Sequence, residues 1–589
     1  MHIVKKTKGW IMRNLLRIAV LLLTATVAFA RNPKFGRDLD GVNPNSNVDV
    51  IIQYDHFPTQ GDHQKVFHQG GVLRGTYRNV RAGFYTVPAS ALTALANNPQ
   101  VVFISPNRVV HGKLDLTAAT VNAPAAWQLG LDGTGIGVAI IDSGITEVND
   151  LATKGVSRVV YSRDFVGTGT DDVYGHGTHV AGIVAGNGAD STCTTCTRKV
   201  QGIAPNANLI NLRVLDENGS GTDSQIIAGI DQAIALAQTY NIRVINLSVG
   251  RPVYESSTLD PLDQAVEAAW QAGIVVVVAA GNDGRDNYAS NNGYGTVTVP
   301  GNDPYVITVG AMKDEGTPDR RDDFIASYSS KGPTAIDNYV KPDIVAPGNL
   351  TVSLLANIND TLPATEPTTL TPNTYYNSAG DGSPSTVYYT LSGTSMATPV
   401  VSGAAALLLQ QNPSMTPDQV KATLMLTAYK TFPTSSQATD PDTGVVYTSY
   451  YDIFTIGAGY LDIGAALADT GTFTGSANSP VAVFDPNSGA AQISCATSDV
   501  CADQAIWGTQ AIWGTQAIWG TSVLVNGTQA IWAYQSVLGT QAIWATQAVW
   551  GTQAIWGTQA IWGTQAIWGT QAIWGTRAIW GTDVIRGEK

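Results

Sequence analysis

The run Gly137-Val-Ala-Ile-Ile-Asp142-Ser-Gly144 constrains the fold of this chain more than any other stretch. Four consecutive apolar residues without polar alternation suit a strand covered on both faces, the condition of a parallel strand between helical layers. Ligands gather at the carboxyl ends of such strands. Asp142, where strand meets loop, is therefore placed to hold a ligand, a metal or a histidine. Composition allows a core of that kind: 589 residues, 44% hydrophobic and only 13% charged, against about 25% charged in ordinary soluble proteins. The length accommodates about three or four domains. A wholly disordered chain is excluded, and a formal net charge of -13 argues against a nucleic-acid binder held by phosphate contacts. One stretch alone is continuously apolar at near-membrane length, at the N-terminus, which excludes a polytopic membrane protein.

Gly175-His176-Gly-Thr-His179-Val-Ala-Gly182 leads into a small-residue apolar segment that reads as a helix. The chain has 7 histidines, and a body starting near residue 115 keeps only His176 and His179. An imidazole base in that body is one of these two. Zinc-binding helices prefer histidines at i and i+4 with a glutamate base between, and neither feature is present. Leu391-Ser-Gly-Thr-Ser395-Met-Ala-Thr-Pro399 precedes the Ala-rich apolar run Val400 to Leu409. Ser395 thus sits at the start of a buried helix, where unpaired backbone N–H groups and the positive dipole end favour a developing oxyanion.

Taken in chain order, Asp142-Ser-Gly-Ile145, His176-Gly-Thr-His-Val-Ala-Gly182 and Gly393-Thr-Ser-Met-Ala-Thr-Pro399 resemble the subtilisin-like serine proteases. So do Val277-Val-Ala-Ala-Gly-Asn282, Ser329-Ser-Lys-Gly-Pro333 and Lys341-Pro-Asp-Ile-Val-Ala-Pro-Gly348, and the likeness covers about 350 residues. The resemblance implies an α/β fold, a mostly parallel sheet with helices on both faces, over residues 114–470. It implies Ser395 as nucleophile, His176 as base and Asp142 as the residue that holds the imidazole. His179 then falls to a structural place. Asn282 becomes the side-chain donor of the oxyanion hole, beside the backbone N–H of Ser395. Substrate would pair as an added strand with Gly219-Ser220-Gly221 and Ser248-Val249-Gly250. Thr298 would floor the primary specificity pocket, and a small uncharged floor favours apolar or medium side chains. The chemistry implied needs no cofactor, structural calcium is expected of the family, and Asp150 matches one of its acidic ligand positions.

The leader reads as two pieces. Basic residues Lys5 to Arg17, the apolar Ile18 to Phe29 and Ala28-Phe-Ala30 form a secretory signal over residues 1–30, with an uncleaved anchor as the alternative. Residues 31–113 give strands at Val48–Tyr54, Val72–Tyr77, Arg81–Val87 and Val101–Ile104. Helices are expected at Gln64–Gln69 and at Ala91–Ala96 capped by Ser90, a βαββαβ ferredoxin-like order. Residues 1–113 carry 14 Lys and Arg against 5 Asp and Glu, whereas the remainder carries 19 against 41. Opposite charge suits two pieces that meet. The resemblance makes this α+β unit an inhibitory propeptide that the enzyme cuts from itself near Val109–Lys113.

Three features depart from the family. The Asn187 to Lys199 loop carries Cys193-Thr-Thr-Cys196, a small disulfide loop in a secreted chain; Cys495 and Cys501 complete the candidate disulfide cysteines, and a four-cysteine zinc site is the alternative. Residues 351–390, rich in Thr, Pro, Asn and Ser, read as a surface insertion. After a linker at 471–503, the unit Gln-Ala-Ile-Trp-Gly-Thr recurs over 504–582 and holds eleven of the 14 tryptophans, ahead of an end segment at 583–589. On an extended chain Ala, Trp and Thr share one face, so stacked copies would make a β-solenoid that binds glycan, cell surface or another copy. The other reading is a low-complexity extension. The resemblance implies a secreted, extracellular, self-processing serine endopeptidase acting on proteins and peptides. The competing description is a surface-associated matrix protein whose repeat tail is the functional part.

Overall fold

The computed structural model describes residues 34–35, 39, 42–77, 81–106, 116–287, 291–485, 490–494 and 587–588. The signal segment, the Val109–Lys113 junction, Cys495, Cys501 and the repeat lie outside these. The chain divides into two units, Met1–His111 and Gly112–Lys589.

In the first unit β1 (Asn47–Tyr54), α1 (Gln60–His68), β2 (Val72–Thr76), β3 (Ala82–Pro88), α2 (Leu92–Ala96) and β4 (Val101–Pro106) follow one another. The strands form one antiparallel sheet in the order β2-β3-β1-β4. Period-two alternation turns Val50, Ile52 and Tyr54 of β1 inward, where they meet Val66, Leu92 and Leu95 from the helices. Helix α1 begins four residues before its expected start. Thr59 and Asp62 close a capping box there, with Thr59 N donating to Asp62 Oδ2 at 3.0 Å. Ser90 does not cap α2; it lies inside a 3₁₀ turn, Ala89–Ala91, that runs into the helix.

The second unit is built on an eight-stranded sheet. Its strands are β5 (Gly137–Asp142), β6 (Val159–Asp164), β7 (Asn208–Arg213), β8 (Ile242–Leu247), β9 (Val275–Ala279), β10 (Ile307–Lys313), β11 (Phe324–Ile325) and β12 (Ile344–Pro347). The order is β11-β10-β9-β8-β5-β7-β6, with β12 also joined to β10. All pairings are parallel except β10 with the short β11. Every residue of β5 and β9 is buried, so both sheet faces are covered, as their unbroken apolar runs require. The helices α3 (His176–Ala185) and α6 (Thr394–Gln411) pack on each other and on the sheet, while α4 (Asp223–Tyr240) packs with α5 (Pro261–Gln271). Helix α6 is buried continuously from Thr394 to Leu409, which explains why its sequence lacks a polar face.

In Lys341-Pro-Asp343, the Asp343 carboxylate is buried between Lys341 Nζ (2.8 Å) and Lys421 Nζ (3.1 Å), and takes the Thr308 N–H at 2.8 Å. Burial alone would raise its pKa, yet the two ammonium groups hold it below the usual carboxylate range. This fixes the start of β12, whose continuation reaches Gly348, and Gly348 O accepts the Gly393 N–H beside Ser395.

The segment read as a surface insertion forms an antiparallel sheet of β13 (Thr351–Leu354), β14 (Leu370–Pro372) and β15 (Pro384–Leu391), with β15 central. Tyr388 and Tyr389 of β15 are fully buried. Its polar composition belongs to the turns; the aromatic pair decides where it sits. Beyond Ile463–Ala468 the chain stays on the unit: Phe473 O accepts from Gln419 Nε2 at 3.1 Å, and Ala482 N donates to Asn338 O at 2.8 Å. No helix among the described residues is long and apolar enough to cross a membrane.

Candidate active site

Asp142 ends β5 and His176 opens α3, and the two side chains meet with Nδ1 and Oδ1 2.8 Å apart, both groups buried. A carboxylate can only accept, so Nδ1 carries the proton and Nε2 is left as the basic nitrogen. The same Oδ1 takes the Ser143 N–H at 2.7 Å. Gly177 permits this approach: a Cβ there would stand 2.2 Å from Gly144 O and 3.2 Å from Asp142 Cβ, pushing the helix off the strand end. The unpaired N–H groups of the first helical turn are met by a second buried carboxylate. Asp172 accepts from Gly175 N and Thr178 N, each at 2.7 Å, and from Ser143 Oγ at 2.8 Å. Sequence reasoning missed Asp172; the pair Asp171-Asp172 ahead of Gly-His-Gly was its one signal.

The other histidine points away. His179 Nε2 lies 3.1 Å from Thr351 O, and its ring stands edge-on to Tyr389 with centroids 5.0 Å apart. Burial, with the neighbouring His176, lowers its pKa to about 3, so it stays neutral. The two imidazoles do not converge. Among the described residues no three candidate metal ligands gather.

Ser395 is the second residue of α6. Pro399, four residues on, lacks the N–H that would occupy Ser395 O, and that carbonyl instead accepts Ser248 Oγ at 2.9 Å. In turn Ser395 Oγ donates to Ser248 O at 3.2 Å. The hydroxyl thus rests on the β8 edge rather than on the imidazole, a common looseness of sites without substrate. Asn282 follows β9. Its Oδ1 accepts both Thr394 N (2.9 Å) and Thr394 Oγ1 (3.1 Å), which fixes the amide plane and leaves Nδ2 available as a donor. Thr394 is therefore a positioning residue that the motif contained but sequence reasoning passed over.

The expected substrate segments are brought together in part. Ser248, Val249 and Gly250 continue β8 beside Ser395. A Cβ on Gly250 would lie 2.4 Å from Thr298 Oγ1, so Thr298 does sit directly under that edge. Gly219, Ser220 and Gly221 follow β7, and a Cβ on Gly219 would strike the Tyr174 ring at 2.5 Å, two residues before His176.

A wall from the insertion completes the surroundings. Thr361 N and Leu362 N donate to Val173 O (3.1 Å) and Tyr174 O (3.0 Å), and the Tyr389 hydroxyl donates to Gly175 O. Asp360 lies there with a buried, unpartnered Oδ2; burial and then the charge of Asp172 raise its pKa to about 7.

The surroundings of Asp150 do not fit calcium. Its Oδ1 accepts Asp190 N and its Oδ2 accepts the Tyr388 hydroxyl, each at 2.7 Å, and the Arg158 guanidinium bonds its backbone carbonyl at 2.7 Å. Each carboxylate oxygen already accepts a hydrogen bond, and a guanidinium cation is bonded to the same residue's carbonyl. Cys193 and Cys196 are paired in the adjoining loop. Tyr388→Phe is expected to destabilise the fold by about 1–3 kcal/mol, the cost of stranding a buried acceptor, read by thermal unfolding. In the unaltered protein a chelator should leave amide exchange over residues 149–158 unchanged, and faster exchange there would contradict this assignment.

The sequence is similar to those of known proteins. Residues 133–448 match the subtilase family. The chain is 37% identical over 399 residues to serine protease AprX of Bacillus subtilis, covering 64% of this chain and 82% of that protein. Subtilisin E of the same organism is 32% identical over 367 residues (62% and 79%), and subtilisin Savinase of Lederbergia lenta 34% over 308 (52% and 88%). A parallel sheet with a histidine–carboxylate pair at one strand end and a serine heading a buried helix, together with this extent of likeness, places the chain in the subtilase family as a subtilisin-like serine endopeptidase.

Proposed function

We propose that Ser395, His176 and Asp142 act as one catalytic triad in a secreted, self-processing endopeptidase. The observation that carries this is the 2.8 Å His176–Asp142 contact at the end of the central strand, with Ser395 heading the buried helix. Ser395 Oγ attacks the scissile carbonyl and passes its proton to His176 Nε2, which returns it to the leaving amine. Asp142 keeps the imidazole in the required tautomer and balances the imidazolium. Asn282 Nδ2 and the Ser395 N–H receive the oxyanion. The acyl-enzyme is then hydrolysed by the same base acting on water. Substrate lies as an added strand along Ser248–Gly250 and Gly219–Gly221, with Thr298 under the primary side chain favouring apolar or medium residues. Residues 31–113 are the inhibitory propeptide, removed after export, and the repeat over 504–582 attaches the enzyme to a surface or glycan.

Asn282→Ala tests the oxyanion assignment. Turnover on casein and on a small peptide ester should fall roughly 100- to 1,000-fold, the range known for the equivalent donor in a subtilisin, with KM nearly unchanged. A rise in KM at constant kcat would instead make Asn282 a ground-state contact.

A further inference from the structure

Glu588, which follows the repeat, is buried to 1% exposure in the second unit. Its Oε1 accepts from Arg285 Nη2 (2.9 Å), from Ser327 N (3.0 Å) and from the Ser327 hydroxyl. The Asn349 side chain reads its main chain in both directions: Glu588 N donates to Asn349 Oδ1, and Asn349 Nδ2 donates to Glu588 O, each at 2.9 Å. Three converging donors, one of them a guanidinium, suit a carboxylate and no neutral side chain as well. The residue before it is read too. A Cβ on Gly587 would lie 2.2 Å from Leu350 Cδ2 and 2.5 Å from Ser392 Oγ, so only glycine lies flat there.

The receptor does not depend on its occupant. Arg285 is also paired with Asp440 at 2.9 Å, bonded through Nε to Ser327 Oγ at 2.9 Å, and set between the Tyr328 and Tyr447 rings. Its charge is balanced whether or not Glu588 is present. Where the chain departs toward the repeat, the hairpin β16 (Val481–Asp485) and β17 (Ala490–Ser494) is bonded to Asn338–Val340 of the same unit.

We propose that Arg285, Ser327 and Asn349 form a built docking site for the Gly587–Glu588 segment, so that the chain is held to the catalytic unit on both sides of the repeat. Tethering on one chain raises the local concentration of the segment, which favours a contact of only two residues. A nick within the repeat would remove that tether and release the far piece.

Two measurements on the full chain, made proteolytically silent by Ser395→Ala, test this. First, hydrogen exchange of the peptide containing Ser327 should quicken at least tenfold on Glu588→Ala, because that amide loses its buried acceptor; unchanged exchange would overturn the proposal. Second, Gly587→Val should quicken exchange of the same peptide, because a Cβ at 587 would lie 2.2 Å from Leu350 Cδ2 and 2.5 Å from Ser392 Oγ and so unseat the segment. Unchanged exchange in that variant would also overturn the proposal.

Discussion

Ser395→Ala leaves a chain that neither cuts casein nor releases residues 1–113, while the unaltered chain does both. The expected fall in kcat is on the order of 10⁶, the figure known for the same serine in a subtilisin. The fold should survive: Ser395 is 7% exposed, and the lost hydroxyl gives up one 3.2 Å bond to Ser248 O. The Ser248 Oγ bond to the Ser395 carbonyl is untouched, because it rests on Pro399 and not on the side chain. Intact mass beside a casein digest reads both consequences at once. Identical behaviour of the two proteins would remove Ser395 as nucleophile, and with it self-cleavage near Val109–Lys113.

Asp142→Asn should lower kcat on the order of 10⁴-fold with KM little changed, by analogy with the aspartate of the equivalent triad in a trypsin-like enzyme. In this site the route to that loss is specific. Oδ1 receives the His176 and Ser143 donors, whereas Oδ2 is buried without a partner. An asparagine that turns its NH₂ toward His176 forces the ring proton onto Nε2, the wrong tautomer, and one that keeps its oxygen there places its NH₂ where nothing accepts. It also removes the charge that contacts the imidazolium. Both faults act when His176 takes the proton, not when substrate binds, which is why kcat and KM should separate. A loss below tenfold would show that the carboxylate only orients the ring.

Much of this was legible in the sequence because covered strands and buried helices leave plain marks. Gly137–Asp142 and Val275–Ala279 have no polar alternation, and both are central strands buried on two faces. Strand boundaries in the first unit were close for the same reason of periodicity. What sequence could not supply was pairing across long separations. Asp172 looked like an ordinary loop acid, and only the fold sets it against the first turn of the His176 helix. Tyr388 is 238 residues from Asp150, so no local pattern could reveal that a hydroxyl bonds the carboxylate expected to ligate calcium. The start of the Gln60–His68 helix was missed because the capping pair Thr59 and Asp62 is polar, and hydrophobic periodicity does not see it.

The three-stranded insertion has a consequence for how this enzyme tolerates changes of length. Its tip, Asp381 to Ser383, is exposed turn that tolerates changes of length, whereas just before it Tyr376 is buried edge-on to Tyr388 and its carbonyl accepts the Thr197 N–H. Its base is different: Tyr389 lies edge-on to His179 and bonds the residue before His176, while Tyr388 satisfies Asp150. Shortening that reaches the base would loosen the base-bearing helix from behind and leave the substrate edge intact. A designer seeking a more compact enzyme should therefore trim from the tip and stop before the tyrosines.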